Sequence, residues 1–216
     1  MCVLIEANIK VEVMPPFVEI VKKLGRKSVW ELLAALTTSW HRLKTVFWYR
    51  LFFKAIGPHS IIRSPLFIAN PKCIALGSNV SIREGVRLEL VKRPGAPSPD
   101  LRIGNNVTIE QDFHLACCSK IIIGDHVSIA ARCSVVDITH PFWRIDISES
   151  IAGAMLEGPH HVIIGQRTFL GLGVTVLPNV EIGEGAVVGP HSVVMSNLPP
   201  FCVAAGNPAR VIRFWR

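Results

Sequence analysis

The 216-residue chain is half hydrophobic, only 18% charged and 7% aromatic, so its apolar content is mostly Ile, Val, Leu and Ala. That composition excludes a disordered or collagen-like chain and suits one β-rich domain built from many similar layers. The formal charge of +7 is uneven: residues 1–63 hold 10 Lys/Arg against 4 Asp/Glu, whereas residues 64–216 hold 13 against 12. The basic excess sits with large aliphatic and aromatic side chains rather than on a polar basic face, which argues against a nucleic-acid partner.

In chain order, "MCVLIEANIKVEVMPPF" lacks the basic start, long apolar stretch and small-residue cleavage site of a signal peptide. Residues 1–55 are expected to form a helical arm. Within it, residues 29–55 contain no Gly or Pro, and Leu33, Leu36, Trp40, Leu43, Phe47 and Leu51 recur three or four residues apart as one apolar face. Arg42, Lys44, Arg50 and Lys54 interrupt the stretch, so a membrane span is not expected. The helix is expected to cap a solenoid end or a neighbouring subunit, or else to lie on an anionic leaflet.

From Ile56 to residue 199 a period of six takes over. An aliphatic residue recurs at Leu76, Ile82 and Leu88, then at Ile103, Ile109 and Leu115, then at Ile123, Ile129 and Val135, and finally from Ile164 at every sixth residue to Val194. "IGNNVT", "IGDHVS", "IGQRTF" and "IGEGAV" share an aliphatic, a Gly, two mostly polar residues and a small or β-branched one. A period of six fits neither a helix nor one long alternating strand. It fits short strands joined by tight bends, that is, a β-solenoid.

Two stretches break the beat: the Pro-rich 91–100, read as a surface loop, and 140–161, which opens on "HPFW". Long loops in compact domains are commonly functional, so the second is the candidate active site. The six cysteines form no CxxC pair or spaced framework and are expected to be reduced and mostly buried, in a cytoplasmic protein. No metal site is expected.

These hexads resemble the hexapeptide-repeat acyltransferases, and that resemblance implies an all-β left-handed parallel β-helix over roughly residues 56–216. Its left hand departs from the usual crossover rule and rests on family likeness alone. The tail "VAAGNPARVIRFW", within residues 200–216, resembles the galactoside and maltose O-acetyltransferase branch, in which a Gly-x-Pro turn and a basic strand lie along a coenzyme A groove. The resemblance implies acetyl-CoA as co-substrate, with Gly171, Pro190, Gly206, Arg210 and Arg213 on the coenzyme side. It also implies a homotrimer, with coenzyme and base meeting between neighbours.

In that branch a His-Pro pair opens the loop and the histidine is the general base; "THPFW" puts His140 in that place. Neutral imidazole can take the proton of a sugar hydroxyl while the oxygen attacks a thioester. Asp137, Asp146, Glu149 and Glu157 are all candidates to orient the ring, while His160 and His161 read better as surface loop residues. Glu110, Trp143 and Phe169 fall at substrate-side positions, with departures: Glu110 replaces an Asn, Phe169 a Trp, Leu172 a small residue, and Met195-Ser196 a Thr-Lys pair. The expected function is O-acetylation of a sugar hydroxyl in surface polysaccharide or glycolipid biosynthesis, in the bacterial cytoplasm or on the cytoplasmic face of the inner membrane. An N-acyltransferase on an amino sugar and a non-catalytic binding scaffold are the alternatives. The γ-type carbonic anhydrases share this fold, but the histidine spacing here does not match theirs.

Overall fold

Short strands with one inward aliphatic residue each can bury that residue only by stacking on the next turn of chain, and that is how the hexads are used. The computed structural model describes residues 28–140 and 159–216. The chain divides into two compact units, Met1–Trp40 and His41–Arg216.

Strands, numbered in chain order, form three parallel faces. The first face stacks β1 (Ala55–Ile56), β4 (Ile74–Leu76), β7 (Asp100–Ile103), β10 (Lys120–Ile123), β13 (His161–Ile164) and β16 (Val180–Ile182). The second stacks β2 (Ile61–Ile62), β5 (Ser81–Ile82), β8 (Thr108–Ile109), β11 (Ser128–Ile129), β14 (Phe169–Leu170) and β17 (Val187–Val188). It continues into β19 (Cys202–Gly206), on which β20 (Ala209–Phe214) folds back antiparallel. The third stacks β3 (Phe67–Ala69), β6 (Arg87–Leu90), β9 (His114–Cys117), β12 (Ser134–Val136), β15 (Thr175–Val176) and β18 (Val193–Val194).

The hexad positions fall in register. Ile56, Leu76, Ile103, Ile123, Ile164 and Ile182 form one inward column. Ile82, Ile109, Ile129, Leu170 and Val188 form a second, and Leu88, Leu115, Val135, Val176 and Val194 a third. Ile62 and Ile68 head the second and third columns and complete a first coil that the hexad pattern only began at Ile56. The glycine after each first-face aliphatic is steric: a Cβ on Gly165 would stand 2.6 Å from the Glu184 nitrogen, and one on Gly77 2.6 Å from the Gly104 oxygen. The corners turn through the left-handed region at His59, Asn79, Asn106, His126 and Arg167, then again at Asp112, Arg132 and His191.

Helix α1 (Val29–Lys44) begins in the first unit with Ser28 and Glu31 capping each other, Ser28 N donating to Glu31 Oε2 at 2.7 Å and Glu31 N to Ser28 Oγ at 3.3 Å. Trp30, Leu33, Leu36 and Trp40 are exposed there. In the second unit a π turn, Thr45–Tyr49, and a short helical turn, Arg50–Phe52, cover the open end of the solenoid. The buried Thr45 hydroxyl accepts from the Ile62 backbone N–H at 2.9 Å and donates to the His41 carbonyl at 2.8 Å, which satisfies a strand-edge donor. Phe53 is buried in the core and Tyr49 packs against it. At the far end the β19–β20 hairpin closes the stack, with Phe201 and Trp215 edge to face at 5.6 Å and Trp215 Nε1 donating to the Gly185 carbonyl at 3.0 Å.

Candidate active site

The residues expected on the coenzyme side gather along the second face and its corner with the third. Phe169, Val187, Val203 and Arg213 are successive register partners pointing outward. Three steps of about 4.8 Å therefore put Phe169 roughly 14 Å from Arg213 along the stack. At the corner, Gly171 bonds to Val188, Gly189 bonds to Ala204, and Ala205 pairs with Arg210, giving a floor of small residues under a basic hairpin. Gly171 is buried, and a Cβ there would stand 2.8 Å from the Pro190 nitrogen, so the floor admits no side chain at that point. Gly206 turns the hairpin at φ +108°, a conformation that L side chains rarely adopt. Arg210 and Arg213 are exposed, as is Leu172 beside the floor.

Glu110 occupies the same corner two coils earlier, through the Glu110–Ile129 and Ala130–Leu170 backbone bonds. Its carboxylate stands 3.6 Å from Arg83 Nε, so it faces a cation rather than an open groove.

His140 stands at the other edge of the third face, where the chain leaves β12. Five residues of extended chain, roughly 16 Å at about 3.3 Å each, separate the Arg132 corner from Asp137. Within one chain, therefore, His140 and the Gly171 floor are at opposite ends of a face. Trp143 lies outside the described residues, as do Asp146, Glu149 and Glu157. Asp137 is fully buried, and its carboxylate accepts the backbone N–H groups of Cys118 (2.6 Å), Ser119 (2.9 Å) and Lys120 (2.8 Å). Those bonds hold the extra residues of the "CCSK" bulge and fix the point from which the His140 loop departs. Asp137 is thus a backbone anchor, with its oxygens already committed.

The loop returns through His160, which is buried rather than on the surface as expected. Its Nδ1 sits 3.0 Å from Asn179 Nδ2, and its Nε2 has no hydrogen-bond partner among the described residues. His161 is half-buried and meets Glu181 at 3.1 Å.

Between the two corners the third face carries an outward polar column that the hexad pattern did not flag: Arg87, His114, Ser134 and Thr175 are successive register partners. His114 Nδ1 lies 3.3 Å from Ser134 Oγ. Burial, then the Arg87 charge, lowers the His114 pKa, so the ring is held neutral. The usable signal was present in the spacing: His114 and Ser134 each precede an inward aliphatic one coil apart.

Among the described residues, Cys73, Cys117, Cys118, Cys133 and Cys202 are buried free thiols. Burial, reinforced by the Asp137 charge, pushes Cys118 up to about 11 and Cys117 higher still, so both are protonated and poorly nucleophilic at neutral pH.

A parallel solenoid of hexads with an antiparallel terminal hairpin defines a class, and the chain belongs to it: it is a hexapeptide-repeat acyltransferase, wound as a left-handed β-helix. Residues 161–195 match the family described as bacterial transferase hexapeptide (six repeats). The chain is 36% identical over 158 residues to the putative lipopolysaccharide biosynthesis O-acetyl transferase WbbJ of Escherichia coli strain K12, covering 71% of this chain and 78% of that protein. It is 30% identical over 191 residues to the probable acetyltransferase Rv3034c of Mycobacterium tuberculosis, covering 85% of this chain and 61% of that protein. A crystal structure of a point mutant of AntD, an N-acyltransferase from Bacillus cereus, in complex with dTDP and coenzyme A shares the fold. The TM-score is 0.66 at 24% identity, over 81% of this chain and 88% of AntD.

Proposed function

We propose that this protein transfers acetyl from acetyl-CoA to a sugar hydroxyl in surface polysaccharide or glycolipid biosynthesis, with His140 as general base. The observation that carries the reading is the pairing of a small-residue corner under a basic hairpin with a histidine at the far edge of the adjoining face. A pantetheine arm would run along the small-residue Gly171–Gly189–Ala205 corner, past Pro190 and the Gly206 turn, while Arg210 and Arg213 meet the nucleotide phosphates. Arg87, His114, Ser134 and Thr175 offer hydrogen-bond partners suited to sugar hydroxyls, with Phe169 at the groove edge. Glu110, turned toward Arg83, lies at the same corner two coils before the floor, and Trp143 is assigned to the acceptor side from sequence. In the reaction the imidazole of His140 takes the hydroxyl proton as the oxygen attacks the thioester carbonyl. The tetrahedral intermediate then collapses with cleavage of the C–S bond, and the departing thiolate recovers the proton from imidazolium.

A base must come within about 3 Å of the attacking oxygen. The in-chain separation of His140 from the coenzyme floor therefore supports a site shared between copies, and a homotrimer with three equivalent grooves meets that need. The relative WbbJ, named an O-acetyl transferase, favours hydroxyl acceptors. AntD, an N-acyltransferase of the same fold, gives an amino-sugar acceptor as the second reading.

Calorimetry with acetyl-CoA tests the donor. Binding in the micromolar range, about 8 kcal/mol, is expected, and weakening of about tenfold or more in Arg210→Ala/Arg213→Ala. In acetyl-transfer assays on nucleotide- and lipid-linked sugars, His140→Ala should lower kcat by about 100-fold or more while the melting temperature holds. Hydroxylamine cleaves an ester product and leaves an amide, which separates O- from N-transfer. Full activity in His140→Ala would overturn the assigned base.

A further inference from the structure

The segment that caps the solenoid does so with only one of its sides. Thr45 is buried and bonded to Ile62, and Tyr49, four residues on, packs on the core. Leu43, Phe47 and Leu51 are each two residues removed from these, which on a helix is about 200° away. They are exposed accordingly, Phe47 and Leu51 at about 70%, together with Val46, Trp48 and Phe52. Six large apolar side chains within ten residues of one segment far exceed the scattered exposure that ordinary surfaces show.

The charges that the segment itself carries have one sign, although Lys54 at its end pairs with Asp100. Arg42, Lys44, Arg50 and Lys54 lie within the same stretch, and residues 41–54 contain no Asp or Glu. Beside the patch is a cavity of about 210 Å³ lined by Arg42, Thr45, Val46, Arg50, Gly57 and His59, among others. Two arginines and a histidine lining a cavity next to exposed Leu, Phe and Trp combine a recess suited to an anion with an apolar platform. A second copy would bring Arg42, Lys44 and Arg50 against themselves. Among the described residues no helix is long and apolar enough to cross a membrane.

We infer that residues 42–54 dock on an anionic lipid surface, with Leu43, Phe47, Trp48 and Leu51 entering the acyl boundary and a lipid phosphate seated between Arg42 and Arg50. The inference stands apart from the acetyltransferase reading, since it uses no residue of that site and its assay needs no acceptor.

The test is cosedimentation of the full chain with sucrose-loaded vesicles of phosphatidylcholine with and without phosphatidylglycerol. Binding is expected only with the anionic lipid and is expected to fall steeply with added salt. Phe47→Glu/Leu51→Glu and Arg42→Ala/Arg50→Ala should each lower the partition coefficient by about tenfold or more. Both pairs are exposed, so melting temperature and acetyl-CoA binding should match the parent protein. Equal binding to both vesicle types, or parent-like binding by either variant, would overturn the inference. So would a drop in oligomer size in Phe47→Glu/Leu51→Glu without lipid, because the patch would then be an interface between copies.

Discussion

Replacing Asp137 by Ala removes the anchor beneath the His140 loop, and the structure sets the scale of the loss. The carboxylate accepts three backbone N–H groups, and the side chain is fully buried. The Cys118 N–H belongs to a buried residue and would be left without a partner, a loss of about 1–3 kcal/mol. Ser119 and Lys120 are partly or well exposed, so water can reach their N–H groups and each loses about 0.5–1.5 kcal/mol. The sum is about 4 kcal/mol, read as a fall in the urea midpoint with unchanged slope. Asp137→Asn should recover only part of it, because one amide oxygen replaces two acceptors and an NH₂ is turned toward donors. If Asp137→Ala lowers stability by less than about 1 kcal/mol, the bulge is held by its own backbone and the anchoring argument is wrong.

Two further outcomes follow from the N-terminal end of the solenoid. Thr45→Val keeps the shape but leaves the Ile62 N–H facing a methyl group, and should cost about 1–3 kcal/mol in thermal or chemical denaturation. Lys54 pairs with Asp100 at 3.0 Å. Burial alone would raise the Asp100 pKa, but the Lys54 hydrogen bond and charge, with Arg102, outweigh it and hold the carboxyl below its usual range. A depressed folded pKa contributes stability above the ordinary Asp value and loses it as pH falls through the folded value. Lys54→Ala should therefore cost about 0.5–1 kcal/mol near neutrality, and the gap should close in acid; a gap constant with pH would count against the pairing.

Much of the architecture was legible because the hexad signal is redundant. Leu76, Ile103, Ile123 and Ile164 repeat the same inward position, so an irregular coil does not hide the register. Ile62 and Ile68 were less visible, because Pro58 and Pro65 interrupt their hexads. Leu43, Phe47 and Leu51 were correctly periodic, yet Thr45 rather than those three meets the solenoid. Periodicity locates an apolar stripe without stating what covers it. His160 read as a loop residue because its partner, Asn179, is a full coil away. Asp137 could not be separated from Asp146, Glu149 and Glu157, because the choice depends on where the bulge at Cys118 folds back.

By itself the sequence determined the repeat, its inward columns, the place where the loop interrupts them and the class of chemistry its motifs resemble. These are set by local periodicity and by which residues tolerate a tight corner. Only the tertiary structure decided which side chains share a face: His114 beside Ser134, Phe169 in line with Arg213, Asp137 spent on the bulge, and His140 at the opposite edge from the Gly171 floor. Stacking brings together residues from 16 to 41 positions apart, such as Val187 with Val203 and Lys120 with His161, and at each level the next coil, rather than the neighbouring residue in the chain, supplies the partner.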